Sequence, residues 1–232
     1  AVDGAFGWAQ RGDAARAEAA GLEAIADLPT LVATADVILA VCPPHAAEDL
    51  AHEVIAAGFA GVYADLNAIR PERARRIGEH VTAAGGRFVD GGIIGPPPHK
   101  AGLSRLYLSA PRADADALAA LFRGSFHEPI IVSDEPGAAS ALKMCFAAEN
   151  KGRIALTLAV RALARAEGAD DALVKEWSMS RPELAAWSEH RGSAVAGRAW
   201  RWTGEMEEIA ATFSAAGLPR GGRGINALVR RT

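Results

Sequence analysis

Cysteine is scarce in this chain: Cys42 and Cys145 are the only two among 232 residues. The two cysteines have no metal-ligand spacing to each other, so a cysteine-pair zinc site is not expected. Each has apolar sequence neighbours, so both are expected to be reduced core residues. Basic charge is not in excess either, with 25 Lys and Arg against 28 Asp and Glu and a net charge of −3. Such a balance provides no electrostatic hold on nucleic acid or an anionic membrane. No apolar run approaches the roughly 20 residues that cross a bilayer. The opening residues, AVDGAFGWAQRGD, lack the apolar core of a secretory leader. The six histidines show no H-x-x-x-H or comparable spacing, so no metal site is expected. No tandem repeat is evident. These absences leave a cytoplasmic globular protein as the expectation, with no nucleic-acid or membrane partner.

Half of the residues are hydrophobic and 23% are charged, enough to bury a substantial core. Short apolar runs alternate with alanine-rich amphipathic stretches. Strands are predicted at 5–9, 36–41, 61–66, 86–91, 104–109 and 129–133, with helices near 13–20, 45–57, 71–84 and 112–123. That rhythm indicates βαβ units and a mostly parallel sheet. The unbroken run VILAV suits a strand covered on both faces. Pro71 suits the first position of its helix, where a missing N–H costs nothing.

The pattern changes after SDEPG (133–137). From Ala138 to about Glu167 there is no proline and one glycine, which predicts a helix of roughly 30 residues, about 45 Å long. A helix of that length is expected to reach a helical second domain or a partner subunit. Further helices are predicted at 170–178, 182–190, 193–201, 204–216 and about 222–231. The organisation is therefore a doubly wound α/β domain over 1–135 and an all-α domain over 136–232. RGGRGIN (220–226) is glycine-rich but follows a helix rather than a strand, so it reads as a loop and not as a nucleotide turn.

Several segments carry candidate chemistry. WAQRGDAARAEAAG (8–21) is a strand, a polar turn and a helix, and in a dinucleotide fold the end of the second strand reads the adenosine ribose. A carboxylate is missing there, and Arg11 and Arg16 could pair with the 2′-phosphate of NADP. Exposed arginines are common, so by residue type alone the pair reads as surface. VILAVCPPHA (37–46) and YADLNAIRPE (63–72) end strands at the carboxyl edge of the sheet, where ligands bind in open α/β folds. Asn67 offers both a donor and an acceptor there, although by residue type alone a plain helix-start turn is the favoured reading. VDGGIIGPPPHK (89–100) reads as the end of a strand and a loop whose glycines admit close backbone approach and whose prolines stiffen it. Lys143 sits between apolar neighbours in GAASALKMCF (137–146), a setting that lowers a lysine pKa and permits proton exchange near neutrality. A lysine that snorkels along an apolar surface is the equal alternative.

Together these segments resemble the β-hydroxyacid dehydrogenase superfamily, which includes the 3-hydroxyisobutyrate and 6-phosphogluconate dehydrogenases. Within it they are most similar to a branch of NAD(P)-dependent oxidoreductases with a distinctive helical C-terminal domain. WAQRGDAARAEAAG resembles the second strand and its arginine-bearing turn. Cys42, Pro43 and Pro44 match the loop beside the nicotinamide ribose. DLNAIRP (65–71) resembles D-x-S-T-I-x-P, with Asn67 in the polar position. FVDGGIIG (88–95) resembles the substrate loop F-V-D-A-P-V-S-G, which makes Gly91, Gly92, Ile93, Ile94 and Gly95 substrate-binding candidates. GAASALK (137–143) corresponds in position to the G-x-x-x-K motif, at a longer spacing, with Lys143 matching the catalytic lysine. GEMEEIA (204–210) occupies the place of a motif that closes over substrate. The resemblance implies NADP as cofactor, with NAD the alternative, and a homodimer through the helix 138–167.

The chain also departs from the pattern. Ile94 stands where the superfamily has a carboxylate-holding serine, and Ala147 where it has an asparagine; Asn150 or Lys151 could substitute. A bulkier carbonyl compound, or an imine as in the related imine reductases, is then a better fit than a small hydroxy acid. The first strand and its G-x-G-x-x-G turn have no counterpart, so the strands at 5–9 and 36–41 are expected to face a gap. About one strand–turn–helix unit, roughly 25 residues, is expected upstream. Hydride transfer with Lys143 as general acid and base is the leading expectation. A catalytically silent binding or scaffold protein on the same fold is the competing one.

Overall fold

Alternate residues of the strand Val62–Asp65 point into two different hydrophobic clusters, and this splits the core of the first half of the chain into two layers. Tyr63 packs with Ile38, Val54, Ile77 and Phe88, whereas Val62 and Ala64 pack with Val89, Leu106, Leu108 and Leu118. A sheet covered on both faces follows directly from that alternation. The computed structural model describes residues 6–8, 14–188 and 202–218. The chain divides into two compact units, Ala1–Lys143 and Met144–Thr232.

In the first unit, β1 (Phe6–Gly7) and β2 (Glu23–Ala24) form a small parallel pair. A second sheet runs in the order β3 (Val37–Ala40), β4 (Val62–Asp65), β5 (Arg87–Ile94), β6 (Ser104–Ser109), β7 (His127–Ser133). Its neighbours are parallel except for the antiparallel pair β5–β6. The connecting helices are α1 (Ala14–Ala19), α2 (Leu28–Thr34), α3 (Ala47–Ala56), α4 (Pro71–Ala83) and α5 (Arg112–Leu121). Among the described residues no ladder joins β1 or β2 to β3. Leu39 and Val41 of the β3 segment are exposed.

The α/β class and the helical second half agree with the sequence reading, and three local features differ from it. β2 and α2 were not anticipated. Helix α2 starts at Asp27, whose side chain accepts a 2.8 Å bond from the Thr30 amide, with a proline in the first turn, a sound start for a helix of only seven residues. The strand predicted to end at Gly91 runs on through Gly92–Ile94, because β6 supplies an antiparallel ladder from Gly91↔Leu108 to Ile94↔Arg105. The connecting loop is therefore 95–103. Finally, Cys42 is half-buried against the edge of the core, whereas Cys145 on the long helix is exposed and is not a core residue. Consecutive helical residues point about 100° apart, and the buried face of their helix carries Met144 and Ala147 instead.

Helix α6 (Ala138–Ala166) is 29 residues long, close to the length expected, and the division between the units falls within it. Its first turn is tied to the sheet of the first unit, as described below. In the second unit α6 is followed by α7 (Asp170–Ser180), α8 (described over 182–188) and α9 (Thr203–Ala215). Arg161, buried on α6, donates to both carboxylate oxygens of Asp170 at 2.5 and 2.8 Å and to Ser188 Oγ at 3.0 Å. One planar guanidinium thereby fastens α6 to the start of α7 and to α8. The segments 193–201 and 220–231 lie outside the described residues. No helix among the described residues is long and apolar enough to cross a membrane.

Candidate active site

The carboxyl ends of β3, β4 and β5 form one edge, and each delivers a residue singled out from the sequence. β4 ends at Asp65, and two residues later the Asn67 amide turns back to donate to Asp65 Oδ1 at 2.9 Å. This local turn is the one short Asx side chains favour. It aims Asn67 Oδ1 at the neighbouring β3 terminus, where it accepts from the Cys42 amide at 2.6 Å. Pro43 and Pro44 then lead into a short 3₁₀ turn (Pro44–Ala46), and Pro44 O accepts from Arg73 at 2.8 Å. The sequence pairing of C-P-P with D-L-N is thus one hydrogen-bonded unit.

That unit is dry and only partly satisfied. Asn67 is 3% exposed and Asp65 1%, yet Asn67 Nδ2, Asp65 Oδ2 and the Tyr63 hydroxyl make no hydrogen bond among the described residues. Burial pushes the Asp65 carboxyl up to about 6, against the bond it accepts from the Asn67 amide and the charge of Arg73, and with some help from the charge of Asp90. Burial likewise pushes the Cys42 thiol up to about 11, with Asp65 adding to the effect. A thiol so far above neutrality stays protonated and is no nucleophile. Tyr63 is raised above its ordinary value, again chiefly by burial. Orphaned buried polar atoms are uncommon in folded proteins and call for an explanation.

Asp90 organises the adjoining strand, a role not recognised from the sequence. It is fully buried. Its carboxylate accepts from Ser109 Oγ at 2.7 Å, from the amides of Gly137 and Ser140 at 2.9 and 3.0 Å, and from Ser140 Oγ at 2.5 Å. Ser109 Oγ in turn accepts from the Ala139 amide at 3.0 Å. A carboxylate on β5 therefore satisfies the open N–H groups that begin α6 and complements its positive end. The available signal was an acidic residue inside an apolar strand, since such a group needs partners when buried.

Lys143 follows Ser140 by about one helical turn and faces β5. Its Nζ donates to Ile93 O at 2.7 Å and is half-buried, so the ammonium is held at the carboxyl end of the strand rather than in bulk solvent. Glycine makes this approach possible: a Cβ on Gly92 would lie 3.1 Å from Lys143 Cβ and 3.2 Å from Ala139 O. A Cβ on Gly91 would collide with Leu66. The room expected for a ligand against Gly91 and Gly92 is thus filled by the chain itself. Gly95 adopts φ +129°, and a side chain there would strike Leu103 O.

The remaining candidates fall elsewhere. Ile94 is buried at 3%. Asn150 is exposed in the second unit. Lys151, also in the second unit, is paired with Glu205 of the GEMEEIA segment, and its Nζ lies 5.6 Å from the Trp202 ring centre. Arg16 belongs to α1, and Arg11 lies outside the described residues.

This architecture is that of the β-hydroxyacid dehydrogenases, so the resemblance drawn from the sequence holds in the fold. Residues 164–232 match a family model described as a domain of unknown function, DUF1932. A conserved protein of unknown function, reported to be structurally similar to 3-hydroxyacid dehydrogenases, shares 25% identity at TM-score 0.66, over 87% of this chain and 75% of that one. A 3-hydroxyisobutyrate dehydrogenase from Mycobacterium tuberculosis shares 17% identity at TM-score 0.67, over 91% and 79% of the two chains. An imine reductase from Myxococcus stipitatus, in complex with NADP+, shares 21% identity at TM-score 0.62, over 81% and 68%. No curated protein matches by sequence.

Proposed function

We propose that this chain is an NADP-dependent oxidoreductase that moves a hydride between nicotinamide and a substrate carbonyl or alcohol carbon, with Lys143 as the proton-exchanging group. The observation that carries this reading is the Lys143 ammonium held at 2.7 Å by Ile93 O at the carboxyl end of β5. The residues present fit a nicotinamide cofactor at this edge: Asn67 Nδ2 is a buried donor with no partner among the described residues, beside the Cys42–Pro44 turn. When bound, that cofactor supplies the hydride donor or acceptor. Asn67 offers its free donor to a polar group, and its bond to Cys42 N keeps the turn in place. Lys143 gives a proton to the substrate heteroatom in reduction and takes one in oxidation. Asp90 acts through α6, setting the height and direction from which Lys143 approaches. NADP rather than NAD rests on Arg11 and Arg16.

Within this reading an imine or an apolar ketone suits the chain better than a small hydroxy acid. Ile94 and Ala147, each 3% exposed, stand where the superfamily pattern has hydroxyl and amide anchors. The test is an NADPH fluorescence titration of the protein followed by turnover with ketones, cyclic imines and hydroxy acids. Absence of NADPH binding would leave a scaffold protein on this fold.

We also propose a homodimer through α6. Leu156 and Leu163, 61% and 62% exposed, lie seven residues apart on one helix face, an apolar pairing that a monomer leaves in water.

A further inference from the structure

We propose that Glu48, His52 and His80 form a surface site for a divalent transition cation of the zinc type. The site owes nothing to the oxidoreductase reading. Glu48 and His52 are four residues apart on α3 and so share a face. His80 lies in the last turn of α4, the helix packed beside α3. One ligand atom from each of the three residues falls within 4.8 Å of the others. The His52 Nε2 to His80 Nδ1 separation is 2.9 Å, with ring centres 4.9 Å apart and a tilt of 37°. Both histidines line a hollow of about 440 Å³ together with Ile55, Ala56, Ala83 and Ala84.

The chemistry of the three groups suits such a cation. Imidazole nitrogens bind zinc at about 2.0–2.1 Å, so a tetrahedral site holds two of them roughly 3.4 Å apart. The two rings need to part by only about half an ångström to admit the ion. Without metal they share a proton, one ring nitrogen donating and the other accepting. With metal both facing nitrogens present lone pairs, and the ring hydrogens sit on His52 Nδ1 and His80 Nε2. Glu48 accepts from Arg76 Nε at 2.6 Å and from Nη2 at 2.8 Å. A carboxylate has about four lone-pair directions, so one oxygen can meet the cation while Arg76 stays bonded as the outer partner that orients it. Two nitrogens and one oxygen select zinc, nickel or cobalt over magnesium and calcium, which prefer all-oxygen shells. A bound ion would clamp α3 to α4.

The experiment is isothermal titration of the tag-free full chain with ZnCl₂, NiCl₂ and MgCl₂, with thermal melting as a second readout. One equivalent of Zn²⁺ and a raised Tm are expected, with no response to Mg²⁺. His52→Ala and His80→Ala should each abolish the heat, and Glu48→Gln, which removes the anionic ligand, should weaken binding. Both histidines are exposed, so these variants should keep their circular dichroism and NADPH binding. Cys145→Ala controls for the exposed thiol and should bind as the parent does. No Zn²⁺ binding by the parent, binding unchanged in His80→Ala, or binding lost in Cys145→Ala would each overturn the site.

Discussion

Replacing Asp65 with asparagine should stabilise the protein at neutral pH and change little in acid. Asp65 is 1% exposed, and burial raises its carboxyl from 3.8 to about 6. Because the folded state holds the proton more tightly, the favourable contribution is complete below 3.8 and is lost as pH rises through about 6. A shift of about two units at 1.36 kcal/mol each makes the loss roughly 3 kcal/mol above that range. Asparagine has no charge to desolvate, and its Oδ1 can still accept the 2.9 Å bond from the Asn67 amide. Its Nδ2 would replace one orphaned atom with another, each costing about 1–3 kcal/mol. The net expectation is a gain of about 1–3 kcal/mol at pH 7.5 that fades to nothing near pH 4. Urea unfolding followed by tryptophan fluorescence, for both proteins between pH 4 and 8, measures this difference. Asp27, Glu48 and Asp170 have lowered values, so their contributions are present above the ordinary carboxylate range and are lost as pH falls. They are common to both proteins and cancel. A difference that stays constant across this range, or a variant less stable than the parent at pH 8, would refute the assignment.

Lys143→Met should bind NADPH like the parent but lose turnover by about 10²–10⁴-fold, the span that a positioned acid or base contributes; unchanged stopped-flow rates would remove Lys143 from the chemistry. Gly92→Ala should push α6 away from β5, with a destabilisation of about 1–3 kcal/mol in urea and a fall in kcat, and a neutral outcome would contradict the close approach. Arg161→Ala should lower stability by about 2–4 kcal/mol, because Asp170 and Ser188 lose a buried partner, and thermal melting of the second unit reads it. Leu156→Glu should shift sedimentation velocity from dimer to monomer, and an unchanged species would place the interface elsewhere.

Local pattern was enough to establish the α/β class, most strands within two or three residues, and the long helix beginning at Ala138. It also marked Lys143 and Asn67, because an ammonium among apolar neighbours and an amide after a buried strand are unusual in their own short windows. Strand ladders, helix caps and side-chain bonds to distant groups are not encoded in such windows. Gly92–Ile94 is strand only because β6 lies alongside, and Lys143 is held towards Ile93 by a helix start that Asp90 ties down through amides 47 and 50 residues away. His52 and His80, 28 residues apart, face each other because α3 and α4 pack on the same side of the sheet. Periodicity and turn chemistry act between neighbours in the chain, so the sequence displays them openly. Which hydrogen-bonding groups and ligands meet across the fold depends on strand order and helix packing, and only the folded chain decides those.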